Sequence, residues 1–179
     1  MLTVFMALCL WVSSSHAQNR YKTTRGEVSI NASTPLEDIN ALNNTSNAIL
    51  DPATGNFAVV MLIKEFEFDR KLMQEHFNEN YMESDKYPKA TFSGVLKGFE
   101  MGSAGQVSKK YELEGKLNIH GVTRSLSAIV SISAKGKLLK LKSNFTIKPE
   151  DHRIEVPQLV FQKIAREVQV FVDLELHRK

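Results

Sequence analysis

Glu75, His76 and Glu79 are the residues of this chain whose types and spacing come nearest to a chemical site. Three and four positions apart on a helix they share a face and offer two carboxylates and an imidazole to a metal ion. His76 also falls in line with Leu72, Met73, Phe77 and Tyr81. On such an apolar face a histidine is ordinarily packed or capped, so no metal site is assigned. Ser, His and Asp are present without a nucleophile elbow, and no glycine-rich phosphate loop runs from a strand into a helix, so catalysis is not expected. Lys135, Lys137, Lys140 and Lys142 form a basic strip suited to transient contact with an anionic membrane surface, with a solvated outer face as the simpler reading. The 23 basic and 20 acidic residues leave a net charge of +3, too mild to argue for nucleic acid.

The elements that must position these residues change character in mid-chain. Residues 69–81 have the spacing of a short amphipathic helix with Asp69 as its cap. Pro88 disfavours helical geometry at Tyr87, so the helix ends before Lys86-Tyr87-Pro88. Residues 89–99 then set Phe92, Leu96 and Phe99 among small residues in a β pattern, with Gly94 and Gly98 as bending points. Upstream, residues 27–32 alternate as a first strand. Thr34-Pro35-Leu36-Glu37 is a capping box with proline at the first helical position, which predicts a helix over 35–42 and a loop over 43–47. The turn at 51–55 leads into a long strand over 56–68, apolar on both faces at its start, with the 69–81 helix as the nearest cover for its outer side.

Downstream the alternation is cleaner. Tyr111, Leu113, Leu117 and Ile119 face away from Glu112, Glu114, Lys116 and Asn118, and His120-Gly121 makes a two-residue hairpin turn. Leu126, Ala128, Val130 and Ile132 form the next inner row, and Leu139, Leu141, Phe145 and Ile147 the one after Lys135-Gly136-Lys137. A polar connection over 148–157 and an irregular or helical arm over 158–165 precede the last row, Val168, Val170, Val172, Leu174 and Leu176.

This is an all-β pattern of about eight antiparallel strands with one or two short helices, and it predicts a lipocalin-like barrel. A barrel of that size either fills with side chains or holds one small ligand. The candidate cavity residues are Phe92, Tyr111, Leu113, Leu117, Leu126, Ala128, Val130, Leu139, Leu141, Phe145, Val170 and Val172 on the inner rows, with Met73, Phe77 and Tyr81 at the mouth. These rows hold no carboxylate or imidazole, so a ligand there is held by apolar burial at roughly 0.8 kcal/mol per CH2, and no cofactor is expected.

Two stretches carry a family likeness. EHFNENYMESDKYPKATFSG, residues 75–94, and GKLNIHGVTR, residues 115–124, resemble the ordered motifs of the YceI-like family of secreted lipid-binding barrels. The resemblance spans about residues 21–176. It implies a barrel that binds an isoprenoid lipid, a quinone or polyprenyl chain, without catalysis. The alternative is a side-chain-filled barrel acting through protein contacts. The short amino end before residue 27 implies a narrower cavity, and the lack of tryptophan after residue 17 makes the lipocalin likeness one of architecture.

Residues 1–17 pair an apolar run from Leu2 to Val12 with Ser15-His16-Ala17, an A-x-A-like site, and predict a signal peptide cut before Gln18 and a periplasmic or secreted protein. The run is shorter than the ~20 apolar residues that span a bilayer. Cys9 lies inside it behind Leu8, which is larger than the residue a lipidation site prefers. Residues 18–179 hold no cysteine, suit one domain by size, and must be stabilised without a disulfide.

Overall fold

The computed structural model describes residues 20–157 and 162–178. The expected signal peptide and part of the 158–165 arm lie outside them. Among the described residues nine strands form: β1 (Tyr21–Asn31), β2 (Asn40–Leu50), β3 (Asn56–Leu62), β4 (Glu67–Phe68), β5 (Lys89–Lys97), β6 (Lys109–Ile119), β7 (Val122–Lys135), β8 (Leu138–Ile147) and β9 (Val168–Arg178). All pairings are antiparallel. Eight strands close a ring in the order β1-β2-β3-β5-β6-β7-β8-β9, and the two-residue β4 hangs on β2 beside it. The β1–β2 pairing closes the ring, and β1 begins six residues ahead of the expected position, at Tyr21.

The clean alternation of the second half folds as read. Tyr111, Leu113, Leu117, Ile119, Ala128, Val130, Ile132, Leu139, Leu141, Leu174 and Leu176 are buried inside the ring. The hairpin turn has His120 at φ +53° and Gly121 at +73°, the pair of positive angles that a two-residue turn matching strand twist requires.

The first half departs from expectation in three places. The 35–42 helix and 43–47 loop are absent; these residues make a tight turn and β2. The capping box fails because the Thr34 amide donates to the Glu37 carbonyl at 2.9 Å, while the Glu37 carboxylate accepts from Arg70 Nη2. The ring needs β2 between β1 and β3, and that tertiary demand overrides local helix signals. β2 was masked in sequence by a bulge, across which the buried set shifts from Ala41 and Asn43 to Ser46, Ala48 and Leu50.

The 56–68 strand is also interrupted, by a 3-10 turn at Ile63–Glu65. Phe57, Val59 and Ile63 face inward, whereas Val60 and Leu62 are exposed, so no helix covers the outer face. The 69–81 helix is real but begins later, as α1 (Lys71–His76) running into one π turn, Phe77–Tyr81. Arg70, not Asp69, occupies its amino-terminal boundary, without a side-chain cap. Instead the Phe68 amide donates to Gln74 Oε1 at 3.2 Å.

Candidate functional site

The barrel is solid at one end and hollow at the other. At the solid end, Tyr21, Leu50, Leu96, Leu113, Val130, Ile132, Leu139, Leu141, Leu174 and Leu176 belong to one tightly buried cluster. At the other end lies an apolar cavity of about 500 Å³, within the ordinary range for small-molecule pockets. Five of the eight ring strands supply it from one terminus: Val28 and Ile30 from β1, Ala90 from β5, Leu117 and Ile119 from β6, Phe145 and Ile147 from β8, Val168 and Val170 from β9. Met61 and the 3-10 turn's Ile63 continue the wall from β3.

Three connections cap this end. The π turn brings Phe77 and Tyr81 to the cavity beside Met82, whose amide donates to the Phe77 carbonyl at 2.9 Å in the wide π register. Phe77 packs on Phe66 and Phe68 with ring centroids 5.7 and 4.9 Å away. Burial pushes the Tyr81 phenol above its ordinary pKa, so it stays neutral at physiological pH. The next connection is the Lys86-Tyr87-Pro88 turn, tied to the β6–β7 hairpin where His120 Nε2 lies 2.8 Å from Glu83 Oε2 and the Tyr87 and His120 rings meet at 4.3 Å. The 148–157 connection, polar in sequence, is the third. It buries Ile154 in the cavity wall and lodges His152 with Nδ1 3.2 Å from the Val122 carbonyl.

Charge is confined to the rim, where Glu37, Arg70, His76 and Lys163 meet exposed Leu72. Glu75, His76 and Glu79 all face solvent, and among the described residues no three His, Cys, Asp or Glu side chains group as a metal site. Lys140 and Lys142 of the basic strip pair with Glu175 at 2.8 Å and Asp173 at 2.6 Å on the outer wall, which largely neutralises that half of the strip.

Of the fifteen sequence-derived cavity candidates, Met73, Phe77, Tyr81, Leu117, Phe145 and Val170 line the cavity. Phe92, Tyr111, Leu113, Ala128, Val130, Leu139 and Leu141 do not, because they are buried in the packed core, and Leu126 and Val172 are half-buried against it without lining the cavity. Alternation identifies the inward face of a strand but not how far along the barrel axis a residue falls. Ala90, Met61 and Ile154 were missed, and the usable signal for the first two was their position at the strand ends that converge on α1.

This geometry has relatives. A family model, the YceI-like domain, matches residues 11–176. The chain belongs to the YceI-like family. Among solved structures, Burkholderia cenocepacia BcnA is similar at 20% identity and a TM-score of 0.71, over 84% of this chain and 95% of that one. A polyisoprenoid binding domain from Saccharophagus degradans, implicated in plant cell wall breakdown, is similar at 11% identity and a TM-score of 0.76, over 90% and 99%. The Campylobacter jejuni YCEI protein is similar at 17% identity and a TM-score of 0.61, over 75% and 81%. At these identities the likeness is one of fold. No curated protein matches the sequence.

Proposed function

We propose that this YceI-like barrel binds and carries an amphiphilic isoprenoid lipid, of quinone or polyprenyl type, without catalysing a reaction on it. The observation that carries this reading is the hollow end: an apolar cavity of about 500 Å³, open at a rim that bears the site's charges. An aliphatic chain entering it exchanges water for carbon on all sides, at roughly 0.8 kcal/mol per CH2, while its polar head stays at the rim. The polyisoprenoid binding of the Saccharophagus domain, which shares the fold, supports the ligand class.

The rim is also the face suited to transient membrane contact. Leu72 and Leu36 are 62% and 64% exposed there, beside Arg70, Lys71 and Lys163. Arg70 is paired to Glu37, so it is the exposed leucines with Lys71 and Lys163 that give this rim the mixed apolar and basic character suited to a lipid surface. Export past residue 17 places the carrier in the periplasm or outside the cell in this reading. Native mass spectrometry of protein from its own host, followed by organic extraction, tests it. A discrete lipid mass of isoprenoid type supports carriage, and protein that arrives with no lipid and takes up none from liposomes refutes it.

A further inference from the structure

We infer that the cavity floor is a fixed stop for the lipid tail, and that Phe92 is the residue that sets it. The inference rests on the lipid reading above and adds the length of tail.

Ala90 lines the cavity and Phe92, the next inward position on β5, does not. Phe92 therefore marks the level at which hollow gives way to solid.

Its ring is held there by an absence of side chains beneath it. Gly94 and Gly115 are cross-strand partners, both inward. A Cβ built on either would lie 2.7 or 2.6 Å from the Phe92 ring, and at 2.3 Å from a neighbouring backbone oxygen. The ring thus lies directly on two bare backbones, in a notch that no other residue type at those positions leaves open. Phe57, paired with Gly94 on its other side, brings a second ring to 6.2 Å. Elsewhere around the ring Gly26, whose missing side chain makes room for a Leu174 methyl, and its cross-strand partner Ser46, hydrogen-bonded to Asn43, add to the packing. Close-packed interiors yield little, so a tail that reaches this layer stops.

Saturated fatty acids from C10 to C24, kept below their micelle concentrations and measured by competition against one fluorescent fatty acid, read the stop directly. The wild-type affinity is expected to rise about fourfold per methylene and then to level off within this series. Phe92→Ala opens a void on the order of the ~150 Å³ apolar cavity that holds a benzene, which moves the plateau out by about four carbons. Phe92→Leu moves it less and serves where the alanine protein fails to fold by circular dichroism. An affinity that keeps climbing through C24 in the wild type, or a plateau at one length in wild type and folded variants alike, overturns the inference while leaving lipid binding intact. Binding of none of the acids overturns the lipid reading itself, and the length limit with it.

Discussion

Asn43 shows what a single buried polar side chain does in this barrel. Its Oδ1 accepts from the Thr45 amide at 3.0 Å, the Thr45 hydroxyl at 3.2 Å and the Ser46 hydroxyl at 3.1 Å, and its Nδ2 donates to the Leu62 carbonyl at 3.0 Å. It is fully buried, so these bonds stand in for water and hold the β2 bulge to the end of β3. Asn43→Ala strands the Leu62 carbonyl and the Thr45 and Ser46 donors. The expected loss is about 1–3 kcal/mol, read in urea denaturation as a lower midpoint at unchanged slope. Stability equal to wild type contradicts the account of the bulge. The same residue explains why β2 was illegible in sequence. Asparagine and serine at inward positions, with a change of parity between them, erase the alternation that marks a strand, whereas Leu139 and Leu141 or Val168 and Val170 preserve it.

At the scale of elements, α1 and its π turn are held to the barrel by Phe77 and Tyr81, the Gln74–Phe68 hydrogen bond and the Arg70–Glu37 ion pair. Phe77 packs between Phe66 and Phe68, and nothing in α1 itself is fully buried. Each aromatic pair is worth about 0.5–1.5 kcal/mol beyond area burial, so Phe77→Ala is expected to speed lipid release roughly tenfold and lower the melting temperature by only a few degrees. Stopped-flow transfer of a fluorescent lipid to acceptor vesicles measures it, and an unchanged release rate removes α1 from the path. The amphipathic spacing of Leu72, Met73, His76, Phe77 and Tyr81 disclosed this element and its apolar face in advance. The π turn that aims Phe77 and Tyr81 at the cavity left no such trace, because it has no side-chain spacing of its own and its ring is placed by tertiary packing on Phe66 and Phe68.

For the whole molecule, the question posed by the sequence was whether eight strands enclose side chains or a ligand. The structure divides the barrel into a side-chain-filled half and a hollow half, and the division follows from where large inward side chains meet glycine. Gly26, Gly94 and Gly115 admit Leu174 and Phe92 into the wall at mid-height, closing one half and leaving the other open. That outcome depends on register among strands far apart in the chain, which alternation within each strand does not encode. The barrel as delivered by export is expected to begin at Gln18, since Ala17 completes the small-residue site after the apolar run. Intact-mass analysis of protein from its own host checks this, and a retained Met1 or a lipid on Cys9 contradicts it.

The central claim, that a lipid occupies the hollow end and not the solid one, is tested most directly by two matched substitutions. Ala90 and Ala128 are both buried, inward-facing alanines, but only Ala90 lines the cavity. Ala90→Trp fills space a lipid tail needs, and Ala128→Trp overpacks a core that is already full, at about 1–3 kcal/mol or more. Native mass spectrometry of both proteins, purified alongside wild type from the same host, reads lipid occupancy per folded molecule. The account predicts that Ala90→Trp loses the lipid adduct and stays folded, while Ala128→Trp melts lower and keeps the adduct in whatever fraction folds. Full occupancy in folded Ala90→Trp would contradict it.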